Sequence, residues 1–199
     1  MRQAYYQTLH PPYLTNTNGN SRSDVLRMVQ AASIYSPNCL TVPINDKGRP
    51  TFRLDQIAPA NGFDHKNAHD ALADVEATIH MCRVLSERAP EIWSTFMRFS
   101  QKAAVVDYIA SEEIFCLSEF YFGKHFSWLL TTLGQNKKNS SEYYLFNLEI
   151  DPNELMSLTD EQLSDRLEVL PKPLRRIRCN AAPILMAADD APALTPGLS

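Results

Sequence analysis

The chain has no run of apolar residues long enough to cross a bilayer as a helix, for which about 20 are needed. That excludes an integral helical membrane protein. The four cysteines, Cys39, Cys82, Cys116 and Cys179, include no Cys-x-x-Cys pair. Their scatter argues against a zinc knuckle and against a disulfide framework, and four reduced cysteines acting as small hydrophobes are expected. Residues 1–6 have no apolar core followed by small residues, so no secretory signal is read there and a cytoplasmic location is the expectation. Positive charge is not in surplus either: the net charge is −4. Residues 1–90 carry nine Lys and Arg against eight Asp and Glu, and residues 91–199 carry ten against 15. Contact with a polyanion must therefore come from local patches, not from the overall field. There is no internal repeat.

What is present is globular in composition, with 44% apolar and 21% charged residues. A chain of 199 residues has room for one domain or two small ones. After a Pro- and Asn-rich loop over 11–23, Val25, Leu26, Val29 and Ala32 mark a helix that Ser23 or Asp24 can cap. Leu54, Ile57 and Ala58 point inward from a short helix that Asn61-Gly62 ends. Leu72, Val75, Ile79 and Cys82 recur at helical spacing, with Asp70 as cap and Pro90 beyond the end. Residues 92–106 continue helical, with Ile92, Phe96 and Phe99 on one side. Beyond Ser111 the period falls to two, predicting strands at 114–122, 126–133 and 143–150. In the last, Tyr144, Phe146, Leu148 and Ile150 share one face. The polar stretch 134–141 reads as a hairpin loop. Thr159-x-x-Gln162 reads as a capping box, opening a helix with Leu163, Leu167 and Leu170 inward. Residues 174–178 read as a further strand.

The chemistry concentrates in 67–78. On one continuous helix His69 and Asp74 would stand about 140° apart, at 3.6 residues per turn. A helix starting at Asp70 instead leaves His69 in the preceding loop, able to fold back toward Asp74. A helix-borne carboxylate is a hard ligand for Mg²⁺, and a neutral imidazole above it can take a proton from water. A histidine near a helix start is otherwise a capping or surface residue, and such an aspartate a solvated charge. Asp74-Val75-Glu76-Ala77-Thr78 spells Asp-x-Glu-x-Thr, but it continues a helical period, so Glu76 is read as a solvated helix charge.

His69-Asp70-Ala71-Leu72-Ala73-Asp74 fits His-x-Ala-x-x-Asp, which resembles the third motif of the DEDDh 3′→5′ exonucleases. The wider stretch Phe52-Arg53-Leu54, Ala60-Asn61-Gly62 and Asn67 to Val75 resembles bacterial exodeoxyribonuclease I. So do Asp24-Val25-Leu26 upstream and, more weakly, the run ending Asn180-Ala181-Ala182-Pro183-Ile184-Leu185. The resemblance implies an α/β plus β architecture. Residues 1–88 would be the C-terminal part of a ribonuclease-H-like (DnaQ-like) exonuclease domain, 89–110 a helical connector, and 111–199 a partial SH3-like β domain. It further implies two-metal hydrolysis of single-stranded DNA with Mg²⁺, with His69 as general base and Asp74 as metal ligand. Single-stranded DNA and single-stranded DNA-binding protein are the implied partners, and a monomer is expected. The family's other three carboxylates lie outside the resembled segment, so the expectation is a piece truncated at both ends and inactive alone. A partner chain supplying the missing strands is the lesser alternative.

Phe120, Tyr121, Phe122, Lys124, His125, Phe126 and Trp128 interleave rings with charge, as single-strand binders do, although alternating aromatics in strands are more often core. Lys124, Lys137 and Lys138 are the candidate DNA contacts, and Arg175, Arg176 and Arg178 add positive charge. A non-catalytic module binding single-stranded DNA or protein is thus the alternative function. An HD-type phosphohydrolase, suggested by His69-Asp70, needs a further upstream histidine on a helix. His10 sits in a proline-rich stretch, and the strands do not suit that all-helical fold.

Overall fold

The computed structural model describes residues 2–64, 71–121 and 123–192. After a short helix α1 (Arg2–Gln7) and the loop, α2 runs Val25–Tyr35. Asp24 caps α2, its carboxylate accepting from the Leu26 N–H at 3.0 Å. Helix α3 (Leu54–Ala60) buries Ile57 and Ala58. The chain leaves it through Gly62 at φ +95°, a left-handed conformation that favours glycine. Helix α4 (Ala71–Arg88) gives way at Ala89 to α5 (Pro90–Phe99), and α6 is Lys102–Ser111. Pro90 opens α5 at a position whose N–H needs no helical partner.

The rest is one antiparallel sheet. Its strands are β1 (Phe115–Tyr121), β2 (Lys124–Gln135), β3 (Glu142–Asn147), β4 (Leu174–Arg178) and β5 (Ile184–Ala187). They lie in the order β4-β3-β2-β1-β5. Two helices, α7 (Pro152–Met156) and α8 (Asp160–Glu168), connect β3 to β4. The expected capping box is present, with Thr159 and Gln162 bonded reciprocally.

The sheet separates two cores. Met28, Val29, Ala32, Ile57, Met81, Leu85, Ile92 and Phe96 of the helices form the first, with Ile184 of β5. Phe99, Val105, Tyr108 and Ile109 form the second, with Phe115, Leu117, Trp128, Leu130, Leu145 and Leu185. Ile184 and Leu185 are consecutive in a strand and so face opposite sides. Residues 115–118 of β1 are all buried, because both faces of that strand are covered.

Helix α4 buries a different stripe from its large apolar one. Ala73, Ala77, Met81, Val84 and Leu85 turn inward, the alanines allowing close approach of the neighbouring helices. Leu72, Val75 and Ile79 are 62%, 53% and 45% exposed, and Leu26 of α2 is exposed as well.

Two expectations are corrected. Strand β3 ends at Asn147, with Leu145 wholly buried and Tyr144 and Leu148 exposed. Both alternations along this segment contain apolar residues, so the period alone leaves open which face is inside. Leu170 is exposed, since α8 lies on the surface with no buried residue and the chain has left the helix by Val169. Among the described residues, no helix is long and apolar enough to cross a membrane.

Candidate functional site

Asp74 stands in the first turn of α4, exposed to solvent. Thr78, one turn on, donates its hydroxyl to the Asp74 carbonyl at 2.7 Å, anchoring this turn without using the carboxylate. Glu76 is exposed, as its helical setting implies. His69 and the cap residue Asp70 lie outside the described residues, so the expected pairing of His69 with Asp74 is not among the geometry described. Among the described residues, no group of three or more His, Cys, Asp and Glu is gathered so as to hold a metal ion. Mg²⁺ demands near-octahedral oxygen ligation, and Asp74 offers one carboxylate at an open helix start. The described residues alone do not make a cage for it, and no chemical step through the ion is derived.

The candidate lysines do not form one patch. Lys124 opens β2, whereas Lys137 and Lys138 sit in the turn beyond its far end, and all three are exposed. Roughly 40 Å of strand separates the two groups at 3.3 Å per residue. Of the aromatic row, Trp128 is buried and Phe126 half-buried. These two rings stack 6.1 Å apart at 6°, and Tyr121 meets Phe126 at 5.8 Å. On the opposite side of the hairpin, Phe120 packs on Phe52 (5.3 Å) and on His125 (5.6 Å). Among the described residues of the row these rings pack on one another, and Tyr121 is the most open of them, 46% exposed.

The tertiary fold brings together groups that the sequence leaves far apart. Arg175 lays its guanidinium over Trp128, 3.3 Å from the ring centroid. Arg27 of α2 lines the same cleft as Arg175 and Tyr121. Elsewhere a polar row crosses from helix to sheet. The Tyr35 hydroxyl lies 2.7 Å from Ser118 Oγ, Ser118 lies 2.5 Å from Ser127 Oγ, and Ser127 lies 2.6 Å from His125 Nε2. Burial pushes the Tyr35 hydroxyl pKa up and the His125 pKa down. Neither cluster has a one-dimensional signal, because each joins a residue of α2 to strand residues some 80 or more positions further along the chain.

Helices thus cover both faces of a five-stranded antiparallel sheet, and a carboxylate stands at the first turn of α4. The structure matches Escherichia coli exonuclease I in complex with a dT13 oligonucleotide, with a TM-score of 0.76 and 27% identity over 98% of this chain and 44% of that one. It also matches an ExoI/SSB-Ct complex, with a TM-score of 0.74 and 25% identity over 95% and 43%. In sequence the chain is 28% identical over 202 residues to exodeoxyribonuclease I of Escherichia coli (strain K12). That alignment takes in 94% of this chain and 42% of the relative. No family model matches. The chain is thus similar to exodeoxyribonuclease I over nearly all of its own length and spans less than half the length of the curated relatives it matches.

Proposed function

We propose that this chain is the part of a 3′→5′ single-strand DNA exonuclease that bears its general base and one metal ligand. The observation that carries the reading is the match to exodeoxyribonuclease I over 94% of the chain, which includes His69-x-Ala71-x-x-Asp74. In this reading Asp74 is a ligand to Mg²⁺ and His69 takes the proton of the attacking water. The remaining carboxylates come from strands of a ribonuclease-H-like sheet, and residues 111–199 form the SH3-like part. The exposed stripe of Leu72, Val75 and Ile79 supports this division, since a sheet laid on α4 would cover it. Lys124, Lys137 and Lys138 remain candidate phosphate contacts, at separate places along the strand's path. The ExoI/SSB-Ct complex among the similar structures supports single-stranded DNA-binding protein as a second partner of a cytoplasmic, monomeric enzyme. Without further carboxylates the chain binds a strand and does not cut it.

The test is a chimera in which this chain replaces the matching segment of the Escherichia coli enzyme. It is expected to release mononucleotides from the 3′ end of single-stranded DNA only when Mg²⁺ is present. A folded chimera that leaves a 3′-labelled oligonucleotide intact overturns the reading.

A further inference from the structure

Beside the end of β1, between α2 and the β4 edge, lies a cleft of about 630 Å³ lined by five Lys or Arg and three Glu. Its carboxylates are engaged. Glu168 pairs with Lys172 at 3.0 Å, Glu142 pairs with Arg176 at 3.5 Å, and Glu119 accepts the Tyr121 hydroxyl. Among the described residues, no carboxylate lies within ion-pair distance of Arg27, Arg175 or Arg178, and Glu119 and Glu149 act on Arg175 from farther off.

Arg175 is held in an unusual way. Trp128 fixes its plane from one side, and its Nε is buried with no hydrogen-bond partner. A buried donor without a partner is costly, and a guanidinium presents a planar fork suited to the oxygens of a phosphate. Arg27 reaches the same cleft from α2, and both cations act on Tyr121. Tyr121, in contact with Phe126, lines the cleft and is 46% exposed. Fixed cations beside an exposed ring suit a ligand carrying both negative charge and flat bases.

We propose that this cleft seats one phosphodiester of a single-stranded DNA between Arg27 and Arg175, with an adjoining base stacked on Tyr121. The inference rests on the strand-binding reading above and adds where the strand lies. A duplex fits less well, because its bases are already stacked on one another and cannot reach the tyrosine.

Binding of a labelled oligothymidine to the 199-residue chain, followed by fluorescence anisotropy across salt, tests this. Arg27→Gln and Arg175→Gln are each expected to weaken binding. Combined, they should take about 0.7 from the slope of log K against log salt, the share of one phosphate on a single strand. Tyr121→Ala is expected to weaken binding about tenfold at every salt concentration with the slope unchanged, the loss of one stacked base. Arg175→Lys retains the charge and should retain the slope, and Arg83→Gln on the exposed side of α4 should change nothing. Duplex DNA binding as tightly as the single strand would remove the stacking assignment. If the chain binds the oligonucleotide and the Arg27 and Tyr121 variants bind it equally well, the strand lies elsewhere and only this inference falls. These two residues stand on separate elements, so the outcome holds even if Arg175→Gln fails to fold. A chain that binds no oligonucleotide overturns the strand-binding reading together with the cleft.

Discussion

The hydroxyl of Tyr35, the last residue of α2, lies 2.7 Å from Ser118 Oγ in β1. This contact joins the helical layer to the sheet through a polar row that ends at His125. It sits beside Cys116, whose sulfur is 3.6 Å from the same hydroxyl. Tyr35→Phe keeps the ring and deletes the bond, leaving Ser118 with Ser127 as its neighbour. The expected loss is about 1–2 kcal/mol, the range for a hydrogen bond whose removal leaves a buried partner under-satisfied. Urea unfolding of the two proteins measures it, and equal midpoints would mean the bond contributes nothing net.

His125 makes the same row sensitive to acid. Burial lowers its pKa below the ordinary histidine value of 6.5, so folding favours the neutral ring. The unfolded chain then takes up the proton first as pH falls. Stability from this site is full above about pH 6.5 and is lost as pH drops from there through the lowered folded value. His125→Gln should remove that part of the acid-side decline. Thermal midpoints from pH 7.5 to 5 should converge toward the acid end. Parallel curves for the two proteins would show that His125 carries no such linkage.

The exposed stripe on α4 predicts how the isolated chain behaves. Burying a Leu, Val or Ile side chain is worth roughly 1.5–3 kcal/mol, and Leu72, Val75 and Ile79 forgo much of it here. The chain alone is expected to bind hydrophobic dyes and to self-associate, and Val75→Lys with Ile79→Glu should reduce both. Dye fluorescence unchanged by these substitutions would show that another surface is responsible.

In the chimera proposed above, Asp74→Asn should abolish Mg²⁺-dependent digestion, whereas the unfused chain should show none at all. His69→Ala should slow single-turnover digestion by about 10²–10⁴-fold, the usual contribution of a general base. Wild-type digestion by the His69→Ala chimera would make His69 a structural residue.

Much of the local structure could be read without coordinates, because the rules behind it act over a few residues. Asp24 capping α2, Gly62 leaving α3, the Thr159–Gln162 box and the bounds of β4 all follow from neighbouring side chains and backbone geometry. The motif His69-x-Ala71-x-x-Asp74 is recognised from its spacing alone, and of its two functional residues only Asp74, in the first turn of α4, falls among the described residues. The inner face of α4 was not: Ala73 and Ala77 are weaker signals than Leu72 and Val75, and only the packing of α2 and α3 makes the alanine face the buried one. The inside of β3 was open for a similar reason, with apolar residues on both alternations. The meeting of Arg27, Tyr121 and Arg175, and of Tyr35 with Ser118 and His125, was decided by tertiary structure alone. Each group lies on a separate element whose docking depends on the whole core, and no local periodicity carries information over that separation.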